Sequence, residues 1–166
     1  ELRKLPGIEG VRTIVAPDAT LVAFCDEGDD DDPDVRVVTD EMTARGWTLG
    51  VQPAHDGPAT LHVSVSAVLD GQVGRFLDDL RAAVDAALEQ GRAEPDPALV
   101  AAGESIDVAA LTPDVVDGLL GIAGLNSPGG GLPDRMAPVN ALLDALPAAL
   151  VERLLTEVIL RVYRPS

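Results

Sequence analysis

Aromatic side chains are scarce in this chain: Phe24, Trp47, Phe76 and Tyr163 make up 2% of it. Its core must therefore be built from Val, Leu, Ile and Ala, which dominate the 46% of residues that are hydrophobic. A single cysteine, Cys25, excludes an internal disulfide framework and any Cys-rich zinc site. Basic residues are few, 12 against 28 acidic ones, so the formal net charge is −16. No stretch clusters Lys or Arg, and a chain of this sign repels phosphate, so no nucleic-acid partner is expected. No run of about 18 apolar residues occurs, which argues against a membrane-spanning helix. The opening Glu1-Leu2-Arg3-Lys4-Leu5 has the pattern of neither a signal peptide nor a lipidation motif. A cytoplasmic protein with no membrane partner is the resulting expectation. The chain opens on Glu1 rather than Met, and its opening reads as the tail of a helix, so a piece of a longer polypeptide is expected.

What is present, over 166 residues, suits one domain, or one domain plus an appendage. Pro6-Gly7 stops the opening helical scrap. Val11 to Val15 alternates and is β-branched, and Leu21 to Cys25 is a short apolar run; with the turn Pro17-Asp18-Ala19-Thr20 between them they read as a hairpin. Asp34 is placed to cap a helix running through Arg45, with Val35, Val38 and Met42 on one face and Gly46 as its left-handed stop. Trp47 to Gln52 and Thr60 to Val65 read as two further strands. A second helix starts near Asp70-Gly71, with Val73, Phe76, Leu77, Leu80, Val84 and Leu88 at helical spacing, and closes at Gly91. Residues 1–91 thus predict an α+β domain, ββαββα, with a roughly four-stranded, mostly antiparallel sheet and helices on one face. Residues 92–136 read as a Pro/Gly/Asp-rich linker with one short helix after Thr112-Pro113-Asp114. Residues 137–166 read as a C-terminal helical extension, its last helix so broadly apolar that it wants more than one partner surface.

Candidate chemistry is sparse. The seven carboxylates from Asp26 to Asp34 could attract calcium but lack EF-hand spacing, so they read as a solvated loop. His55 and His62 have no third ligand at zinc spacing; His62 reads as a structural strand histidine, while His55 lies in a Pro/Asp/Gly loop that could reach a cleft. Cys25 ends a strand near acids, which disfavour a thiolate. Ser127-Pro128-Gly129-Gly130-Gly131 lacks the strand and the Gly-Lys-Ser/Thr of a phosphate loop and reads as a flexible linker. The only lysine, Lys4, has neither a desolvated pocket nor an activating neighbour in the sequence, so this chain should form no cofactor aldimine.

One order of motifs carries a resemblance. Pro6-Gly7-Ile8-Glu9-Gly10 precedes a strand, and Leu21-Val22-Ala23-Phe24 an acidic spacer. Then come Met42-Thr43-Ala44-Arg45-Gly46-Trp47-Thr48-Leu49, Gln52-Pro53, Leu61-His62-Val63-Ser64-Val65 and Phe76-Leu77-Asp78-Asp79-Leu80. This resembles the C-terminal small domain of pyridoxal-phosphate-dependent group II decarboxylases, and within them the sphingosine-1-phosphate lyase branch. The resemblance implies an aminotransferase-like parent that holds pyridoxal 5'-phosphate through a lysine of a large N-terminal domain and works as a homodimer. It implies carbon–carbon cleavage of an amino acid or an amino-alcohol phosphate, by decarboxylation or by aldehyde release. No catalytic, cofactor-binding or metal-binding residue carries over to this chain, which should be inactive alone. Trp47 to His55 is the segment expected nearest a substrate cleft, with Gln52 and His55 as its candidates. The rival expectation is a self-standing regulatory or interaction module that dimerises.

Overall fold

The computed structural model describes residues 3–5, 8–14, 20–26, 31–52, 54, 57–122 and 133–162. They fall into two compact units, Glu1–Ala93 and Glu94–Ser166.

In the first unit the strands are β1 (Arg3–Leu5), β2 (Ile8–Thr13), β3 (Leu21–Asp26), β4 (Gly50–Gln52) and β5 (Thr60–Ser64). They form one sheet in the order β1-β2-β3-β5-β4, and every neighbouring pair is antiparallel. The expected hairpin is β2–β3, with Val11 opposite Asp26 and Thr13 opposite Phe24. Helix α1 (Val35–Ala44) connects β3 to β4, and β5 slots between those two strands, so β3 and β4 run parallel around it. Helix α2 (Val73–Gln90) closes the unit and packs along α1. The antiparallel sheet with helices is as the sequence predicts, and it gains a strand. The opening, read as the tail of a helix, is β1 instead, with Arg3 opposite Thr13 and Leu5 opposite Ile8. So short a segment cannot offset the cost of helix nucleation, whereas the open edge of β2 offers backbone partners.

Register fixes which side chains share a face. Phe24 lies opposite Leu61 and Val22 opposite Val63, so these four line one face together. Helix α1 covers that face with Val35, Val38 and Met42, the three positions expected, all fully buried. Helix α2 differs from expectation. Its buried residues are Leu80, Ala83, Val84 and Ala87, while Val73 and Leu88 are exposed. The alanines, uninformative as hydrophobic signals, let α2 approach α1 closely. The helix also starts at Val73 rather than at Asp70-Gly71, because a 3-10 turn, Ala67–Leu69, and a left-handed Gly71 (φ 75°) intervene.

The second unit is helical: α3 (Pro97–Glu104), a 3-10 turn (Val108–Ala110), α4 (Pro113–Ile122), α5 (Ala137–Ala145) and α6 (Ala148–Val162). Where the sequence reads residues 92–136 as a linker with one short helix, α3 and the 3-10 turn precede α4. Asp96 caps α3 by accepting from the Ala98 amide at 2.8 Å, with Pro97 at the first helical position. The core joins Val116, Leu150 and Leu154, with Ile106, Val108, Leu111, Leu119 and Leu146 packed around them. Pro147 separates α5 from α6, as expected. Helix α6 buries Leu150, Val151 and Leu154 and exposes Leu155, Ile159 and Leu160. The glycine-rich segment from Ser127 to Gly131 lies outside the described residues.

Candidate functional site

The segment expected nearest a cleft begins where α1 ends. Gly46, at φ 88°, takes the left-handed cap position. Its amide donates to the Thr43 carbonyl at 2.9 Å and the Trp47 amide to the Met42 carbonyl at 3.0 Å, a Schellman motif. That motif turns the chain so that Trp47 points inward, 9% exposed. Its indole Nε1 donates to Asp79 Oδ2 at 2.8 Å across to α2. Its ring meets Phe76 edge-on, centroids 5.1 Å apart, and the Arg75 guanidinium stands 5.3 Å from the ring centre. Arg75 also pairs with Asp79 at 3.3 Å, so the tryptophan is held on several sides.

The expected site residues do not gather around it. Gln52 ends the edge strand β4, opposite Thr60, with its side chain exposed. His55 lies outside the described residues. His62 is a half-buried strand residue whose imidazole lies over Gly50: a Cβ on Gly50 would collide with its Nε2. Cys25 is buried in β3.

The acidic stretch has specific structure at its two ends. Asp34 is 1% exposed and caps α1 through the Arg36 amide at 2.9 Å. It also accepts from Arg36 Nε at 2.9 Å and from the Ala93 amide at 3.0 Å, which ties the start of α1 to the chain beyond α2. Burial pushes the Asp34 carboxyl upward, but the Arg36 side chain and amide and the Ala93 amide outweigh it, leaving the carboxyl below its ordinary range. Asp26, buried at the end of β3, is displaced the other way. Burial raises it, Arg92 at 3.5 Å opposes this, and the charges of Asp32 and Asp34 add to the rise. Among the described residues no group of three or more His, Cys, Asp or Glu could hold a metal ion. Among them, too, no helix is long and apolar enough to cross a membrane. Sequence reasoning found the Asp34 cap but missed its reach to Ala93, because residues so distant in sequence give no local signal.

Pyridoxal phosphate carries an anionic phosphate. Anions are welcomed where helix amides are free; α1, α3 and α4 start with acids, Asp34, Asp96 and Asp114, whereas α2, α5 and α6 have none in their first turns. Each of those acids would repel the cofactor phosphate, and Lys4 is the chain's only lysine.

Comparison with known proteins gives two matches. Residues 97–161 match the family described as "Pyridoxal-dependent enzyme, C-terminal putative HTH domain". The matched span holds α3, α4, α5 and all but the last residue of α6. The chain is also 36% identical, over 81 residues, to the sphingosine-1-phosphate lyase of Dictyostelium discoideum, an alignment covering 48% of this chain and 13% of that lyase. This chain thus spans only a small part of that relative's length. Both matches are to pyridoxal-dependent enzymes: residues 97–161 are similar to a C-terminal domain of that family, and an 81-residue stretch is similar to part of a sphingosine-1-phosphate lyase.

Proposed function

We propose that this chain is the C-terminal part of a pyridoxal-dependent lyase that cleaves a carbon–carbon bond of an amino acid or an amino-alcohol phosphate. The observation that carries this reading is the 36% identity to a sphingosine-1-phosphate lyase. The order of the motifs through residues 6–80 supports it. Cofactor chemistry supplies an electron sink for such cleavage. The chain's own part is structural: a sheet and helices that pack beside a cofactor-bearing domain and keep water from its edge. Decarboxylation and aldehyde release are both compatible with this role, because the choice belongs to residues around the cofactor. A large N-terminal partner domain, a homodimeric parent and a cytoplasmic setting complete the proposal.

The helical unit would not read nucleic acid, despite the description of its family. Its four α-helices carry Glu104, Asp114, Asp117, Asp144, Glu152 and Glu157 against only Arg153 and Arg161. A helix presented to phosphate needs the opposite sign.

The test starts with the coding DNA upstream of Glu1. An in-frame domain with a candidate Schiff-base lysine supports the reading. The full protein with pyridoxal phosphate is then assayed for carbon dioxide from amino acids and for aldehyde from a phosphorylated amino alcohol. Release of either supports a lyase; transamination alone overturns it. Turnover by the present chain alone would refute its purely structural role.

A further inference from the structure

We propose that the first unit contains a binding site for a small uncharged hydrocarbon group, in a cavity between β3, β5 and the start of α2. The cavity has a volume of about 170 Å³, and its walls include Val22, Phe24, Trp47, Val63, Phe76 and Leu77. Three of the four aromatic residues of the chain meet in it, although aromatics form only 2% of the sequence. The exposed wall is carbon, so nothing inside would orient a polar or charged group.

Two physical points make this a site rather than loose packing. The cavity is held open: Trp47 cannot fold into it without giving up its bond to Asp79 at 2.8 Å and its edge contact with Phe76. The size suits a six-carbon ring, since an enclosed apolar cavity of about 150 Å³ in another protein takes benzene, although here one side is open to solvent. A wall without occupant atoms forgoes dispersion contacts that a matching guest restores. The mouth is open at Val65 and Val73, 41% and 56% exposed. The net charge of −16 disfavours anionic amphiphiles, and the all-carbon lining offers a cationic head no partner, so the occupant is an uncharged six-carbon ring, any hydroxyl left at the mouth. The proposal rests on the cavity alone and stands or falls separately from the lyase reading.

The test titrates cyclohexanol into the full chain and follows methyl resonances by NMR, with Trp47 emission as a second readout. Trp47 is the only tryptophan, so emission reports this cavity directly. The expected result is saturable shifts confined to Val22, Val63, Val65, Leu69, Val73 and Leu77, with none from inositol, a ring of the same size bearing hydroxyls. Val22→Phe fills the cavity and should weaken binding about tenfold or more without loss of the folded spectrum. If that variant does not fold, Val73→Phe at the exposed mouth serves instead. No saturable shift up to the solubility of cyclohexanol overturns the proposal, as does equal binding by the filled variant. Shifts of the same methyls with protein concentration alone would assign the cavity to a second copy of the chain and overturn it too.

Discussion

Asp34 shows how much one buried carboxylate can organise. It satisfies two backbone amides and pairs with Arg36 while 1% exposed. Loss of an N-cap costs about 1 kcal/mol, and leaving buried partners unsatisfied adds about 1–3 kcal/mol. Asp34→Ala should therefore destabilise the first unit by about 2–4 kcal/mol at neutral pH in urea unfolding. Its carboxyl is depressed by folding, so this stabilisation is present above the unfolded value of about 3.9 and lost as pH falls through the lower folded one. The variant's deficit should shrink correspondingly in acid. Asp26 carries the opposite sign. Its carboxyl is raised, chiefly by burial, so its ionised form costs stability at neutral pH, and the cost fades as pH drops through the raised value. Asp26→Asn should be more stable than the parent at neutral pH, and the two should converge in acid below about 3.9. A destabilised Asp26→Asn at neutral pH would mean that the Arg92 pair outweighs the burial cost.

At the scale of elements, two glycines set how closely pieces approach. Gly50 in β4 leaves room for the His62 ring, and a Cβ there would collide with its Nε2. Gly50→Ala should cost about 1–3 kcal/mol as overpacking, with shifted His62 resonances by NMR. Gly103 lies in α3, where alanine would ordinarily favour the helix by about 1 kcal/mol. Here an added Cβ collides with Leu146 Cδ2 and lies 3.5 Å from Leu150 Cδ2. Gly103→Val should therefore destabilise the second unit in thermal unfolding, and Leu146→Ala in the same chain should recover part of the loss. Full additivity of the two losses would show that the residues do not meet. Neither close approach was legible in the sequence, because each pairs a glycine with a residue distant along the chain. The caps and stops were legible: Asp34, Gly46, Thr112-Pro113 and Pro147 act through their immediate neighbours.

Across the whole molecule, charge is the dominant asymmetry. With 28 acidic residues against 12 basic, self-repulsion opposes compaction, and salt should relieve it. Thermal midpoints should rise as sodium chloride is added, and sodium chloride and potassium chloride should act alike because the effect is screening. A stronger response to calcium at equal ionic strength would instead point to specific cation binding by the acidic stretch.

The sequence by itself determined the charge balance, the alternating strands, the cap-bounded helices and the order of motifs that resembles a pyridoxal-dependent enzyme. These are local or compositional properties, read from neighbours a few residues apart. It did not reveal β1, because a three-residue segment has no periodicity of its own and becomes a strand only when β2 offers it an edge. It did not reveal the packing face of α2, because alanine carries little hydrophobic signal until a second helix lies against it. Tertiary structure alone decided that Phe24, Trp47 and Phe76, far apart in the chain, wall one cavity. It also decided that Asp34 reaches Ala93, since such contacts exist only once the sheet has brought its strands and helices together.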